Sequence, residues 1–253
     1  VRAGVAAGLA VLCQKPFAPD LAQATALAAD VAGKRVMVHE NWRFRRYYRD
    51  MAAWMGDVGE VQQASMVLLT SGLLADATGA RPALVRQPFM QGLTRMLVAE
   101  VLIHHLDTLR FLLGPMEVVA ARLGQSCADM AGEDNALITL RTSGGAGVVL
   151  LGNLAAAGAP PSQADQLLLL GRDGALRLDG AHLRLQGRRS EDRVYDLPAC
   201  YQGSYDATIA HFVTALEQGT PFETPPDENL HTLRLVEDCY RLSGWRLSGW
   251  PAA

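Results

Sequence analysis

Apolar residues follow two different periods along this chain, and the switches between them mark its elements. Leu102, Leu106, Leu109 and Leu113 recur at i, i+4, i+7 and i+11, which places them on one stripe of a helix that must face a core. The spacing predicts a helix over Ala99–Leu113, stopped by Gly114-Pro115. Glu100, His104 and Asp107 recur at i, i+4 and i+7 on a different face of it. Earlier, helix and strand signals alternate. An Ala-rich helix from Val1 to Ala7 ends at Gly8, and an apolar strand Ala10–Cys13 follows. Pro19-Asp20 then opens a helix through Val31, and Gly33 stops it before a strand Arg35–Val38. Strands separated by helices of this length imply a parallel sheet.

From Asn41 the pattern changes. A helix from about Arg45 to Met55 is expected to end at Gly56, and Val58–Leu69 reads as a strand rich in β-branched and apolar residues. The polar, Pro-broken stretch Ser71–Gly92 is the segment best suited to lie over an active site. Val118–Leu123, Ala136–Arg141 and Gly147–Asn153 read as strands, as do Gln166–Leu170, Ala175–Leu178, His182–Leu185 and Arg193–Leu197. Turns such as Arg172-Asp173-Gly174 and Asp179-Gly180 separate most of them, which predicts an antiparallel meander. Helices Tyr205–Glu217, capped by Gly219, and Glu228–Ser243, ending at Gly244, complete the pattern.

The expected fold is α/β in two parts. Residues 1–40 read as the C-terminal remnant of a Rossmann-type dinucleotide-binding domain, and residues 41–253 as an α+β domain with a large, mainly antiparallel open sheet. The chain opens at Val1 inside a helical pattern with no initiator methionine, so it is expected to lack most of the N-terminal Rossmann domain. No Gly-x-Gly-x-x-Gly follows a strand, and the turn that would lay a pyrophosphate on a helix N-terminus is not found.

Composition changes this picture mainly by exclusion. With 253 residues, 49% hydrophobic and 19% charged, the chain can bury a core. A net charge of -3 supplies no attraction to phosphate backbones, so nucleic acid is not expected as a partner. The basic run Arg43, Arg45, Arg46 and Arg49 is too short for a groove-tracking stripe and reads as a solvated or anion-facing helix start. Cys13, Cys127, Cys200 and Cys239 lie far apart with no Cys-x-x-Cys pair, which suits reduced thiols in the cytoplasm. No apolar run reaches membrane-spanning length, so no membrane association is expected.

Three segments carry candidate chemistry, each beside a plainer alternative. A carboxylate one turn from an imidazole, Glu100 and His104, suits acid-base work, while the alternative is a solvated helix face with a weak i, i+4 pair. Three metal ligands on one helix face are disfavoured without a partner motif, so no metal is expected. Gln14-Lys15-Pro16 stands at the carboxyl edge of a parallel strand, where ligands gather, or is simply a turn. His39-Glu40-Asn41-Trp42-Arg43 ends the next strand, where Asn41 and Arg43 could fix a polar ligand or cap the following helix.

Together these segments resemble the Gfo/Idh/MocA oxidoreductases, the family of glucose-fructose oxidoreductase and inositol 2-dehydrogenase. The family's Glu-Lys-Pro, Asn-x-Arg and Asp-x-x-x-His-x-x-Asp motifs read here as Gln14-Lys15-Pro16, Asn41-Trp42-Arg43 and Glu100 through His104 to Asp107. His211-Phe212 to Ala215-Leu216, Gly219 and Pro221 are similar to the family's usual ending. The resemblance implies NAD- or NADP-dependent oxidation of a hydroxyl on a sugar, polyol or related small molecule. It implies catalytic roles for Lys15, His104 and Glu100, with Lys15 orienting the reacting hydroxyl, His104 exchanging its proton and Glu100 holding substrate or tuning His104. Gln14, Lys15, Asn41 and Arg43 are implied at the cofactor, and Lys15, Arg43, Glu100 and His104 at the substrate. A homo-oligomer through the open sheet face is also implied. Gln14 departs from the motif's glutamate and Glu100 from its commoner aspartate. Two other readings stand beside this one: a truncated, redox-inactive binding or interaction protein that retains the substrate domain, and a lyase or glycosidase of the same family.

Overall fold

A computed structural model describes residues 1–162 and 164–245. Helix α1 (Arg2–Ala6) leads into strand β1 (Val11–Gln14), helix α2 (Leu21–Asp30) and strand β2 (Val36–His39). Asp20 caps α2 by accepting the Gln23 amide at 2.8 Å. Strands β1 and β2 pair in parallel, Val11 opposite Val36 and Gln14 opposite His39. All four β2 residues are buried. The outer edge of β2 is covered by the segment that joins the last two helices, where the Val38 amide donates to the Thr224 carbonyl and the Thr224 hydroxyl donates to the Val38 carbonyl. Met37, Phe44, Ala215 and Phe222 form a small core at that junction.

After a 3-10 turn at Trp42–Phe44, helix α3 (Arg46–Val58) precedes strand β3 (Val61–Leu69). Helix α3 runs through Gly56, where the sequence pattern places its stop, and ends at Gly59 with φ 73°. The expected solvated helix start is also corrected, because Arg43 and Arg45 are buried. Helix α4 (Pro82–Arg86) and a 3-10 turn at Pro88–Gly92 give order to the Pro-broken segment. A π-helical turn, Leu97–Leu102, then feeds helix α5 (Ile103–Leu113), so the expected single helix from Ala99 has a widened first turn. Glu133 caps that turn, its carboxylate accepting the Met96 and Val98 amides.

The remaining strands are β4 (Met116–Gly124), β5 (Asn135–Thr142), β6 (Gly147–Asn153), β7 (Gln166–Gly171), β8 (Ala175–Asp179), β9 (His182–Gln186) and β10 (Ser190–Val194). With β3 they make an eight-stranded sheet in the order β10-β9-β8-β7-β3-β6-β5-β4. The sheet is not one continuous meander. Strand β3 sits between β6, which it pairs in parallel, and β7, which it pairs antiparallel, so it joins two antiparallel runs. Strand β10 ends at Val194, three residues before the expected Leu197, because Asp196 caps helix α6 (Leu197–Gln218) and Pro198 occupies its first turn. Helix α7 (Pro226–Ser243) follows.

Helices α3 and α7 and the π turn pack on the sheet, α5 packs against both helices, and alternate leucines of β7, β8 and β9 are buried. Gly152 of β6 is needed there, since a Cβ at that position would meet the Leu102 side chain at 2.9 Å. Close seating of the π turn on the sheet therefore fixes where Glu100 and His104 stand. The other face carries Leu137, Val149 and Leu170 exposed to solvent.

Candidate active site

Strand β1 delivers Lys15 to its carboxyl edge, and the π turn delivers Glu100 opposite it. The Lys15 ammonium lies 2.7 Å from the Glu100 carboxylate and donates to the Glu100 backbone carbonyl at 2.6 Å. A charge-assisted pair with both atoms of one residue holds the lysine stem in a single direction. The pair is half-open, with 12% of the Lys15 side chain and 20% of the Glu100 side chain exposed.

One turn on, His104 faces the same opening, but its partner is Glu40 at the end of β2. Its Nδ1 is 2.9 Å from Glu40 Oε2, and Glu40 Oε1 accepts from Asn229 of α7 at 3.3 Å. Trp42 stacks on the His104 ring with centroids 4.8 Å apart and planes 13° from parallel. Burial pushes the Glu40 carboxyl up to about 7, although Lys15, Arg43 and the Asn229 hydrogen bond pull the other way. Burial pushes the His104 imidazolium well below its usual range, and the Lys15 charge adds to this.

Lys15, Glu100 and His104 line a pocket of about 300 Å³ with Asn41, Trp42, Thr70, Tyr201 and Tyr205. The segment after β3 closes one side of it through Ala83, Arg86, Gln87 and Met90. The volume is at the small end of the range for small-molecule sites.

Of the residues singled out from the sequence, Lys15, Glu100, His104 and Asn41 come together at this pocket. Asn41 donates to the Ser204 hydroxyl at 2.9 Å, which ties it to α6. Arg43 and Gln14 are not among the lining residues. The Arg43 guanidinium turns inward and makes two hydrogen bonds to Asp107, at 2.7 and 2.6 Å, so the third polar residue of the helix face is engaged in a buried pair. Gln14 is exposed at the end of β1. The plainer alternative for the Glu100–His104–Asp107 face is corrected on the same ground: His104 and Asp107 are buried, and Glu100 pairs across the fold rather than along the helix.

Glu40 and Trp42 fall inside the candidate segment His39–Arg43 but are given no role from the sequence, and Thr70, Tyr201 and Tyr205 are not singled out as site residues. Glu40 and Trp42 carried a usable signal, since both follow a parallel strand beside Asn41. The tyrosines carried none, because α6 was expected to begin only at Tyr205. Among the described residues no three His, Cys, Asp or Glu side chains converge to hold a metal ion.

Residues 86–243 match the model of the oxidoreductase family's C-terminal alpha/beta domain. The chain belongs to the Gfo/Idh/MocA oxidoreductase family. Two D-apiose dehydrogenases are similar to it. That of Paraburkholderia graminis is 31% identical over 261 residues, covering 95% of this chain and 66% of its own length. That of Rhizobium rhizogenes is 28% identical, covering 90% of this chain and 68% of its own length. The chain thus spans about two thirds of these curated relatives. An Agrobacterium radiobacter oxidoreductase, solved with NAD+, L-tartaric acid and magnesium, superposes with a TM-score of 0.86 at 26% identity, over 96% of this chain and 73% of that one. An inositol dehydrogenase homologue from Azotobacter vinelandii, solved with NAD+, shares the fold at a TM-score of 0.76 and 17% identity, over 96% and 72%. Within this Gfo/Idh/MocA chain, the eight-stranded sheet and the elements packed on it are the expected family architecture.

Proposed function

We propose that the protein takes part in the NAD- or NADP-dependent interconversion of a hydroxyl and a carbonyl on a sugar, polyol or related small molecule. The observation that carries this reading is the convergence of Lys15, Glu100 and His104 on one small polar pocket. The names of the relatives, D-apiose dehydrogenase above all, support the substrate class. Residues 1–40 are assigned to the dinucleotide-binding domain and residues 41–253 to the substrate domain. The parallel β1–β2 pair with Lys15 at its carboxyl edge supports that division.

The residues present fit the reacting end of such a cofactor and not its pyrophosphate. Lys15 and Asn41 stand at strand ends beside the pocket, whereas no Gly-x-Gly-x-x-Gly turn follows a strand in this sequence. When bound, the nicotinamide supplies a hydride acceptor or donor. The chain's own part is to bind and to move a proton. Lys15, held by Glu100, donates a hydrogen bond to the reacting oxygen and stabilises the negative charge that develops on it. His104 takes the hydroxyl proton or returns it. Glu100, Thr70 and the tyrosine hydroxyls are placed to meet the remaining hydroxyls. Exposed Leu137, Val149 and Leu170 on the open sheet face support self-association, and four free cysteines suit a reducing cytoplasm.

The test joins this chain to the dinucleotide-binding part of a D-apiose dehydrogenase and follows reduced nicotinamide by absorbance with a panel of sugars and polyols. Turnover is expected, and Lys15→Met should lower it by about 10²-fold or more, within the range for a positioned polar group. A folded hybrid that binds nicotinamide but turns over no member of the panel, or an unchanged rate in Lys15→Met, counts against the reading.

A further inference from the structure

Glu40 is a carboxylate with no exposed surface, at the end of a strand whose four residues are all buried. A charge so placed is costly unless it is paired and hydrogen-bonded. Its two oxygens are accounted for, Oε1 by Asn229 and Oε2 by Nδ1 of His104. The His104 ring is then held on two sides, along one edge by Glu40 and across one face by Trp42. Its remaining nitrogen, Nε2, has no protein partner among the described residues, and the ring lines the pocket.

We propose that Glu40 is a positioning residue that takes the Nδ1 proton of His104 in a hydrogen bond, fixing the tautomer and leaving an unprotonated Nε2 toward the pocket. The inference rests on the reading of His104 as the proton-exchanging group. Glu100, the carboxylate one turn away on the same helix, does not compete for this role, because Lys15 holds it.

The charges around the pair set its pH behaviour. Lys15 from β1, Arg43 from the turn after β2 and His39 beside it favour the Glu40 carboxylate, while burial opposes it. On His104, Lys15, His105 and Arg45 act with burial against a positive ring, and Asp107 acts for it. Above about pH 7 the pair shares one proton, which sits on Nδ1 between the ring and the carboxylate. Below that point the pair takes up a second proton. Whether Glu40 or Nδ1 then holds the inner one, the other is on Nε2, which can no longer accept from a substrate. Glu40 thereby places the acid limb of the site near neutral pH, in a carboxyl group that never meets substrate.

Nitrogen-15 spectra of the imidazole rings in this chain, without cofactor, test the inference directly. From about pH 5 to about pH 8, wild-type His104 should show an unprotonated Nε2 at the alkaline end and an inflection near neutrality. Glu40→Gln should abolish that inflection and mix the two tautomers. A protonated Nε2 at the alkaline end, or a Glu40→Gln variant with the same tautomer and inflection, overturns the proposal. If Glu40→Gln does not fold, the wild-type spectrum decides alone. Failure of the hybrid to turn over sugars would count against the dehydrogenase reading and leave the tautomer result standing.

Discussion

Two adjacent histidines, His104 and His105, lead into two buried polar clusters that are built from the same residue types and do different work. His105 belongs to a closed one. Its Nε2 is 3.1 Å from Asp165, which also accepts from Arg45 at 3.1 Å and from the Tyr48 hydroxyl at 2.8 Å. Its Nδ1 faces the Val101 carbonyl at 3.4 Å. Arg45 lies 3.8 Å over the Trp42 ring, so the cluster locks α3, α5 and the segment before β7 together. His104 belongs to an open one, in which Glu40 and Trp42 hold the ring but a nitrogen, an ammonium and a carboxylate are left toward a pocket. The difference shows in the carboxylates. Burial alone would raise Asp165, yet His105, Arg45 and Tyr48 outweigh it and hold its carboxyl down at about 2. The same burial wins at Glu40, where fewer donors reach the oxygens. A carboxylate met by three donors stays ionised and serves as a strut, whereas a ring with one nitrogen left toward a pocket can exchange a proton.

The largest expected effect separates the two rings. In the hybrid enzyme, His104→Ala should lower turnover by about 10²- to 10⁴-fold, well beyond what its loss of melting temperature, from leaving Glu40 with Asn229 alone, accounts for. His105→Ala should mainly lower the melting temperature. Equal rate losses in the two variants, at equal stability, would erase the distinction between the clusters.

Next in size is the closed cluster's own carboxylate. Asp165→Asn leaves Arg45 buried without its counter-charge and should cost about 3–5 kcal/mol in urea denaturation, the usual result of breaking a buried pair. A cost below about 1 kcal/mol would place that cluster with surface pairs instead. The pH dependence sharpens the point. Because the folded carboxyl of Asp165 lies at about 2, below its ordinary 3.8, its contribution is present above about pH 4 and is lost as pH falls toward 2. That contribution is on the order of 2 kcal/mol. Wild-type stability should therefore decline through that window, and the Asp165→Asn variant should decline less.

The smallest effect belongs to the exposed neighbours of the closed cluster. Arg46 pairs with Asp50 across one helical turn with 69% of its side chain exposed, so Arg46→Ala should change stability by less than about 1 kcal/mol. A loss of several kcal/mol would mean that the buried cluster extends to the surface of α3.

What the sequence by itself determined was periodicity and its punctuation. The leucine stripe of α5, the stop at Gly114, the parallel β1–β2 pair and most strands of the sheet were readable, because each depends on local geometry that repeats every two or 3.6 residues. The positions of Lys15 and His104 were readable through motif order alone. Strand order was not, since the insertion of β3 between β6 and β7 depends on which apolar faces meet, and no local period records that. The partnering of the site was decided by tertiary structure for a similar reason. An i, i+4 spacing predicts that Glu100 supports His104, but this holds only for a regular helix with no closer charge. Here the chain widens into a π turn, Lys15 arrives from a strand 85 residues away and takes Glu100, and a buried β2 brings Glu40 to the ring instead. Long-range charges that meet in a low-dielectric interior outweigh the few tenths of a kcal/mol that helical spacing offers at a surface.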